Sequence, residues 1–166
     1  MPYKKVKTLI PAYIRYIPAL LLIALFSLFV YINVEQIIKS MQDDANVINT
    51  SGRQRMLSQN LVLQGLKYLD NPTDINKSRL KKSMELMRIS HKHLISYHKS
   101  DKLNIIYYEK KLSLKVNDFL AKFDDFLNNR KDLIIELSYD AQVLLPLLSE
   151  AVTEYENINK MKVKPL

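Results

Sequence analysis

The chain of 166 residues contains no cysteine. That excludes a disulfide framework and any Cys-ligated zinc or redox site, and it leaves the redox compartment undetermined. Glycine is nearly as scarce, at two residues, and proline numbers six. With so few turn formers among abundant Leu, Ile, Lys and Asn, the punctuation a sheet-based fold needs is missing, and the expected class is all-α. A glycine-rich phosphate loop, a Ser/His/Asp arrangement, an internal repeat and a low-complexity stretch are absent too. Asp43-Asp44 and Asp124-Asp125 are adjacent pairs that diverge around a helix, so neither makes an acid/base couple. No catalytic residue, cofactor or metal site is expected, and the chain is not expected to be an enzyme.

The formal net charge of +8 invites a nucleic-acid reading. Lys4, Lys5, Lys7 and Arg15 supply half of it before any acidic residue appears, and the remaining 21 basic residues face 17 acidic ones. No basic stripe is interleaved with aromatics, so nucleic acid is not an expected partner.

What the sequence does have is one long apolar run. Residues 16–34 carry no formal charge, and at about 1.5 Å per residue they span roughly the 30 Å hydrocarbon core of a bilayer. Lys4, Lys5, Lys7 and Arg15 all precede this run, so the positive-inside tendency keeps the N-terminus in the cytoplasm and sends the rest outward. Tyr13, Tyr16 and Tyr31 stand where interfacial aromatics belong. A cleavable signal peptide would have a shorter apolar core followed by a small-x-small site, and Tyr31-Ile32-Asn33-Val34-Glu35-Gln36 has none. The division expected is a cytoplasmic basic tail at 1–16, a transmembrane helix at 17–34, a periplasmic four-helix domain at 35–160 and a C-terminal tail at 161–166. The location is the inner, cytoplasmic membrane, crossed once.

Beyond the apolar run, Val34, Ile38, Met41, Ala45, Ile48, Gly52, Arg55, Gln59, Val62, Leu66 and Leu69 recur at alternating steps of four and three. That pattern predicts a coiled-coil-type seam along a first helix, interrupted by Gly52, Arg55 and Gln59. Asp70-Asn71-Pro72 ends this helix, and Thr73-Asp74 can cap the next. A second stripe follows at Leu80, Met84, Met87, His91, Leu94 and His98. A third comprises Leu112, Val116, Phe119, Phe123 and Phe126. The fourth, at Ile134, Ala141, Leu148 and Tyr155, is widened by Leu137, Leu144, Leu145 and Val152, with Pro146 expected to kink its helix. Short connections predict that these helices close into an antiparallel up-down-up-down bundle.

The break in the first seam is the informative place. A glycine inside a helix weakens it by about 1 kcal/mol relative to alanine. A guanidinium on an apolar seam requires a partner. Either Arg55 belongs to a polar layer that sets the register of a helical interface, or an anion completes a site there, with Gly52 leaving room. His91, His93 and His98 form the only histidine cluster. The spacing of seven between His91 and His98 suits a partly buried pair near the distal end of the bundle better than a metal site.

The run Asn49-Thr50-Ser51-Gly52-Arg53-Gln54-Arg55-Met56-Leu57-Ser58-Gln59 resembles the signature of the PilJ-type sensor domain at the N-terminus of type IV pilus methyl-accepting chemotaxis transducers. The same module occurs in nitrate/nitrite sensor kinases. Leu144-Leu145-Pro146-Leu147-Leu148, followed by Ala151-Val152 and Tyr155-Glu156, is similar to that family's last helix, so the resemblance spans roughly residues 17–160. It implies a sensory input module for a chemotaxis, histidine-kinase or cyclase-type receptor. It also implies a homodimer in which Arg55 of each subunit touches a small anion such as nitrate or nitrite, Gly52 makes space and Arg53 is structural. A small sliding or rotation of the last helix against the first is the output implied. Family members continue through a second membrane helix into a signalling region, so the partner expected is a downstream signalling domain or protein, beside membrane lipid. The alternative is a stand-alone membrane-anchored interaction protein that docks onto a separate receptor or envelope complex.

Overall fold

A backbone can cross lipid only if its own groups satisfy one another, which for an isolated segment means a helix. The computed structural model describes residues 12–97, 100–128 and 130–163, and its first element, α1 (Ala12–Asp70), carries the whole apolar run. Lys4, Lys5 and Lys7 of the expected cytoplasmic tail lie outside the described residues, as does His98. Among the described residues every regular element is helical.

The chain divides into two units, Met1–Gln42 and Asp43–Leu166. In the first, every side chain described from Tyr16 onward is exposed, including Leu20, Ile23, Phe26 and Phe29. A helix whose apolar residues face outward all round has no core to bury them in, and it is long and apolar enough to cross a membrane.

The second unit holds the rest of α1 and four further α-helices. Asp70-Asn71-Pro72 ends α1, and Thr73 caps α2 (Asp74–Ser96) by accepting the Asn76 N–H at 3.3 Å. Ser100 caps the short α3 (Asp101–Asn104) in the same way, through the Leu103 N–H at 3.2 Å. A π-helical turn at Ile105–Glu109 follows, and Lys111 then adopts a left-handed backbone at φ 60° before α4 (Leu112–Leu127). A 3₁₀ turn at Lys131–Leu133 opens into α5 (Ile134–Val163), which keeps Pro146 within one continuous helix.

Side-chain partners fix how these helices meet. Asp44 joins Tyr97, Gln54 joins His91 and Gln64 joins Ser83, so partner numbers fall along α2 as they rise along α1. Lys110 pairs with Glu150, while Lys122 pairs with Glu136 and Asp140, the same inverse order between the segments flanking the 128–133 connection.

The stripes expected on α2 and α4 are buried as read, from Leu80 to Leu94 and from Leu112 to Phe126. On α5, Ile134, Leu137, Ala141, Leu144, Leu148 and Tyr155 are buried, whereas Leu145 is exposed. The seam expected on α1 does not form this unit's core. The buried line is Asp44, Val47, Ser51, Gln54, Ser58, Leu61, Gly65 and Tyr68, with Thr50, Leu57 and Val62 beside it. Gly52, Arg55, Gln59, Leu66 and Leu69 lie outside it, because one step along a helix turns the side chain by about 100°.

One end of the core is aromatic. Phe119, Phe123, Phe126 and Tyr68 make successive edge-to-face contacts, with ring centroids 5.0–6.2 Å apart. The Lys131 ammonium lies 3.7 Å from the Tyr68 ring centroid, a cation–π contact that closes this cluster. Gly65 permits the close approach of α1, since a Cβ there would stand 2.9 Å from Ile134 Cδ1 and 3.2 Å from Phe123 Cε1.

Candidate functional site

Within residues 49–59 the helix presents two chemically different faces. Thr50, Ser51, Gln54, Leu57 and Ser58 turn inward, whereas Asn49, Arg53, Arg55, Met56 and Gln59 are exposed and Gly52 is half-buried between them. Two inward hydroxyls are satisfied within α1 itself. Ser51 Oγ donates to the Ile48 carbonyl and Ser58 Oγ to the Arg55 carbonyl, each at 2.8 Å, so the hydroxyls enter the core without a partner on another helix.

Gln54 does reach across. Its side chain is 0% exposed, and its Nε2 donates to His91 Nδ1 at 2.9 Å. On the other side of the ring, His91 Nε2 lies within hydrogen-bond distance of Ser113 Oγ, at 3.2 Å. One polar chain thus ties α1 to α2 and α4 at the motif's level. His91 therefore belongs to the core beside Gln54, which corrects its expected placing near the distal end.

This layer is incompletely bonded. Gln54 Oε1 and Ser90 Oγ are buried without a hydrogen-bond partner among the described residues. Such atoms weaken a core by about 1–3 kcal/mol each. Nearby, Tyr97 donates to the buried carboxylate of Asp44. Burial first, then the bond to Asp44 and its charge, raises the Tyr97 phenol above its ordinary range. Tyr155 donates to the Leu94 carbonyl at 3.2 Å and lies 3.4 Å from the Tyr107 hydroxyl. Burial pushes Tyr155 up to about 12, and burial with the neighbouring Tyr155 pushes Tyr107 up as well.

The outward face is open. No heavy atom lies within 4 Å of where a Gly52 Cβ would stand. Arg55 is exposed, and among the described residues it makes no ion pair. In a single chain its guanidinium is therefore solvated and needs no internal partner. Gln59 Nε2 donates to the Ala141 carbonyl at 3.1 Å, joining the end of the motif to α5. No group of three or more His, Asp or Glu among the described residues could hold a metal ion.

The class so defined is an all-helical unit with a polar layer in its core, in a chain whose first helix is apolar enough to span a membrane. Residues 37–105 match the family model described as the N-terminal part of type IV pili methyl-accepting chemotaxis transducers, the family that residues 49–59 resemble. The matched stretch takes in the motif and all of α2 and ends at the π-helical turn, short of α4 and α5. The comparisons with curated proteins and with solved structures gave no match.

Sequence reasoning missed the connection from Gln54 through His91 to Ser113. His91 was visible on the apolar stripe of α2 and Gln54 in the motif, but nothing in the order of residues joins either to Ser113.

Proposed function

We propose that this chain is the extracytoplasmic input module of a transmembrane signalling receptor. In this reading residues 43–163 form an up-down-up-down four-helix bundle, and two copies pair along the outward face of α1. A small anion such as nitrate or nitrite bridges Arg55 from both copies, with Gly52 giving the second helix room to approach. The N-terminus faces the cytoplasm, as the early basic residues favour.

The observation that carries the reading is the pairing of neighbours in one turn of α1. Arg55 is an unpaired cation beside an uncrowded glycine, and Gln54, one residue earlier, is bonded into the core. Ligand energy acquired on the outer face can thereby bias an inner layer that has polar groups to spare. An effector moves signal only through a difference in its affinity for two packings. A small sliding of α5 against α1 is the output this arrangement suits.

The test is calorimetric titration of nitrate and nitrite into the full chain in detergent micelles, with Arg55→Ala alongside. Saturable binding that disappears in the variant is expected. Heat that is absent, or equal in both proteins, removes the anion reading and leaves the helical fold as it stands.

A further inference from the structure

Five basic side chains of the second unit have a carboxylate within reach: Arg88, Lys102, Lys110, Lys122 and Arg130. Lys67 and Arg79 are among those that make no ion pair among the described residues. Both line one hollow of about 230 Å³ where the end of α1 meets the start of α2, with Asn60, Leu63, Gln64 and Asn76 as the other walls. No carboxylate borders it. Two cations facing one hollow repel each other unless an anion lies between them.

Of the amides around them, Gln64 and Asn76 are engaged with protein acceptors and Asn60 keeps its amino group. Gln64 is held at both ends, its Nε2 donating to Asn60 Oδ1 at 2.6 Å and its Oε1 accepting from Ser83 Oγ at 3.2 Å. That bond turns the Asn60 carbonyl oxygen towards Gln64 and leaves Asn60 Nδ2 free to donate. Asn76 is tied to the Asn71 carbonyl at 2.9 Å, which anchors the wall carrying Arg79. A planar guanidinium, an ammonium and a free amide N–H around one space make a donor set for oxygens bearing two negative charges. The volume lies below the roughly 300–1,000 Å³ of sites for larger organic ligands. The other sizeable hollows differ in chemistry. That beside Ile105 contains the paired Glu150 and Glu154, and that beside Leu66 is lined largely by apolar side chains with no charged one.

We propose that the hollow between α1 and α2 is a binding site for a small dianion, a doubly charged oxyanion or short dicarboxylate held by Lys67 and Arg79. It is separate from the outward face at Arg55 and goes beyond the reading above. A dianion here would clamp the first two helices together at the end where Asp70-Asn71-Pro72 joins them.

Full-length protein in detergent is titrated with sulfate, phosphate and succinate at fixed ionic strength, with chloride as the monovalent control, by calorimetry and by thermal melting. Saturable binding of at least one dianion is expected, its affinity falling at least about tenfold in Lys67→Gln and in Arg79→Gln and staying unchanged in Arg55→Ala. Preference for sulfate and phosphate assigns an inorganic or phosphoryl source, and preference for succinate a carboxylate source. Circular dichroism checks that the surface variants fold. Absence of saturable binding overturns the proposal. So does binding that survives both substitutions, or that is lost only in Arg55→Ala, a result that would assign the heat to the other site.

Discussion

Two levels of the same helical unit are built on opposite principles, and α1 contributes to both. Around Gly65 the core is aromatic: Tyr68, Phe123 and Phe126 pack edge to face, and the backbone approaches Ile134 and Phe123 so closely that a methyl group hardly fits. Among the described residues, the one buried polar atom there without a hydrogen-bond partner, Lys131 Nζ, rests on the Tyr68 ring. Around Gln54 the core is polar: Ser51, Ser58, Ser90 and His91 are buried, and two of the layer's polar atoms have no partner among the described residues. Close packing has one good arrangement and resists change. A polar layer with unused hydrogen-bonding capacity has several of nearly equal energy. The aromatic level therefore sets stability, and the polar level, which carries the motif, is where a rearrangement is cheapest.

The largest effect expected is at the aromatic level. Phe123 is 0% exposed and touches two other rings, so Phe123→Ala should destabilise the unit by about 3–5 kcal/mol, read as a fall in the thermal or urea midpoint of the full chain. A loss below about 1 kcal/mol would show that the aromatic end is not what holds the unit together.

Next comes a pH effect confined to alkaline solution. The Tyr155 phenol is held at about 12 in the fold against an ordinary value of 10, so the unfolded chain loses this proton first. Stability should be level below pH 10 and fall by about 1.4 kcal/mol per pH unit from 10 to 12 on account of this group. Tyr107, shifted in the same direction, adds to the slope. Unfolding curves at pH 9, 10 and 11 measure it, and Tyr155→Phe should flatten them. An unchanged slope in that variant would mean the phenol is not buried in solution.

Gln54→Ala, at the polar level, should weaken the unit by about 1–3 kcal/mol, since it strands His91 Nδ1 and opens a small void. Ser113→Ala should do less, because Ser113 is only half-buried and water can replace it. A loss from Gln54→Ala as large as that from Phe123→Ala would erase the contrast between the two levels.

That contrast also explains what could be read from the sequence. The α2 and α4 stripes were legible because their inward residues are apolar and recur at helical spacing, as Met84, Met87, Phe119 and Phe123 do. Most of α5 was legible for the same reason. The inner line of α1 was not, because Ser51, Gln54 and Ser58 look like a solvent face while Met56, Leu66 and Leu69, one step round, look like a core. The stripe read there was the outer one: apart from Val62, which is buried, and Ile48, which is half-buried, its apolar members are exposed. Residues 97–111 were illegible for a different reason. Lys111 takes a left-handed backbone that favours glycine, and a five-residue π-helical turn has no periodicity of its own.

The smallest effects expected separate the two levels most cleanly, because the chain's two glycines occupy them and the same substitution can be made at each. Alanine stabilises a helix by about 1 kcal/mol over glycine when nothing opposes it. At Gly52 nothing stands within 4 Å, so Gly52→Ala should raise the stability of a single copy by about that amount. At Gly65 the tip of Ile134 can swing aside, but the Phe123 ring must shift by a few tenths of an ångström within a packed cluster. The helical gain is offset there, and Gly65→Ala should leave stability unchanged or slightly reduced. Thermal melting compares the two, and sedimentation of the same samples adds a second reading. If copies pair along the outer face, Gly52→Ala should weaken self-association while it strengthens the single chain, two effects of opposite sign from one methyl group. A destabilised single chain in that variant would mean the outer face is not open, and the division of α1 into a packed side and a free side would have to be abandoned.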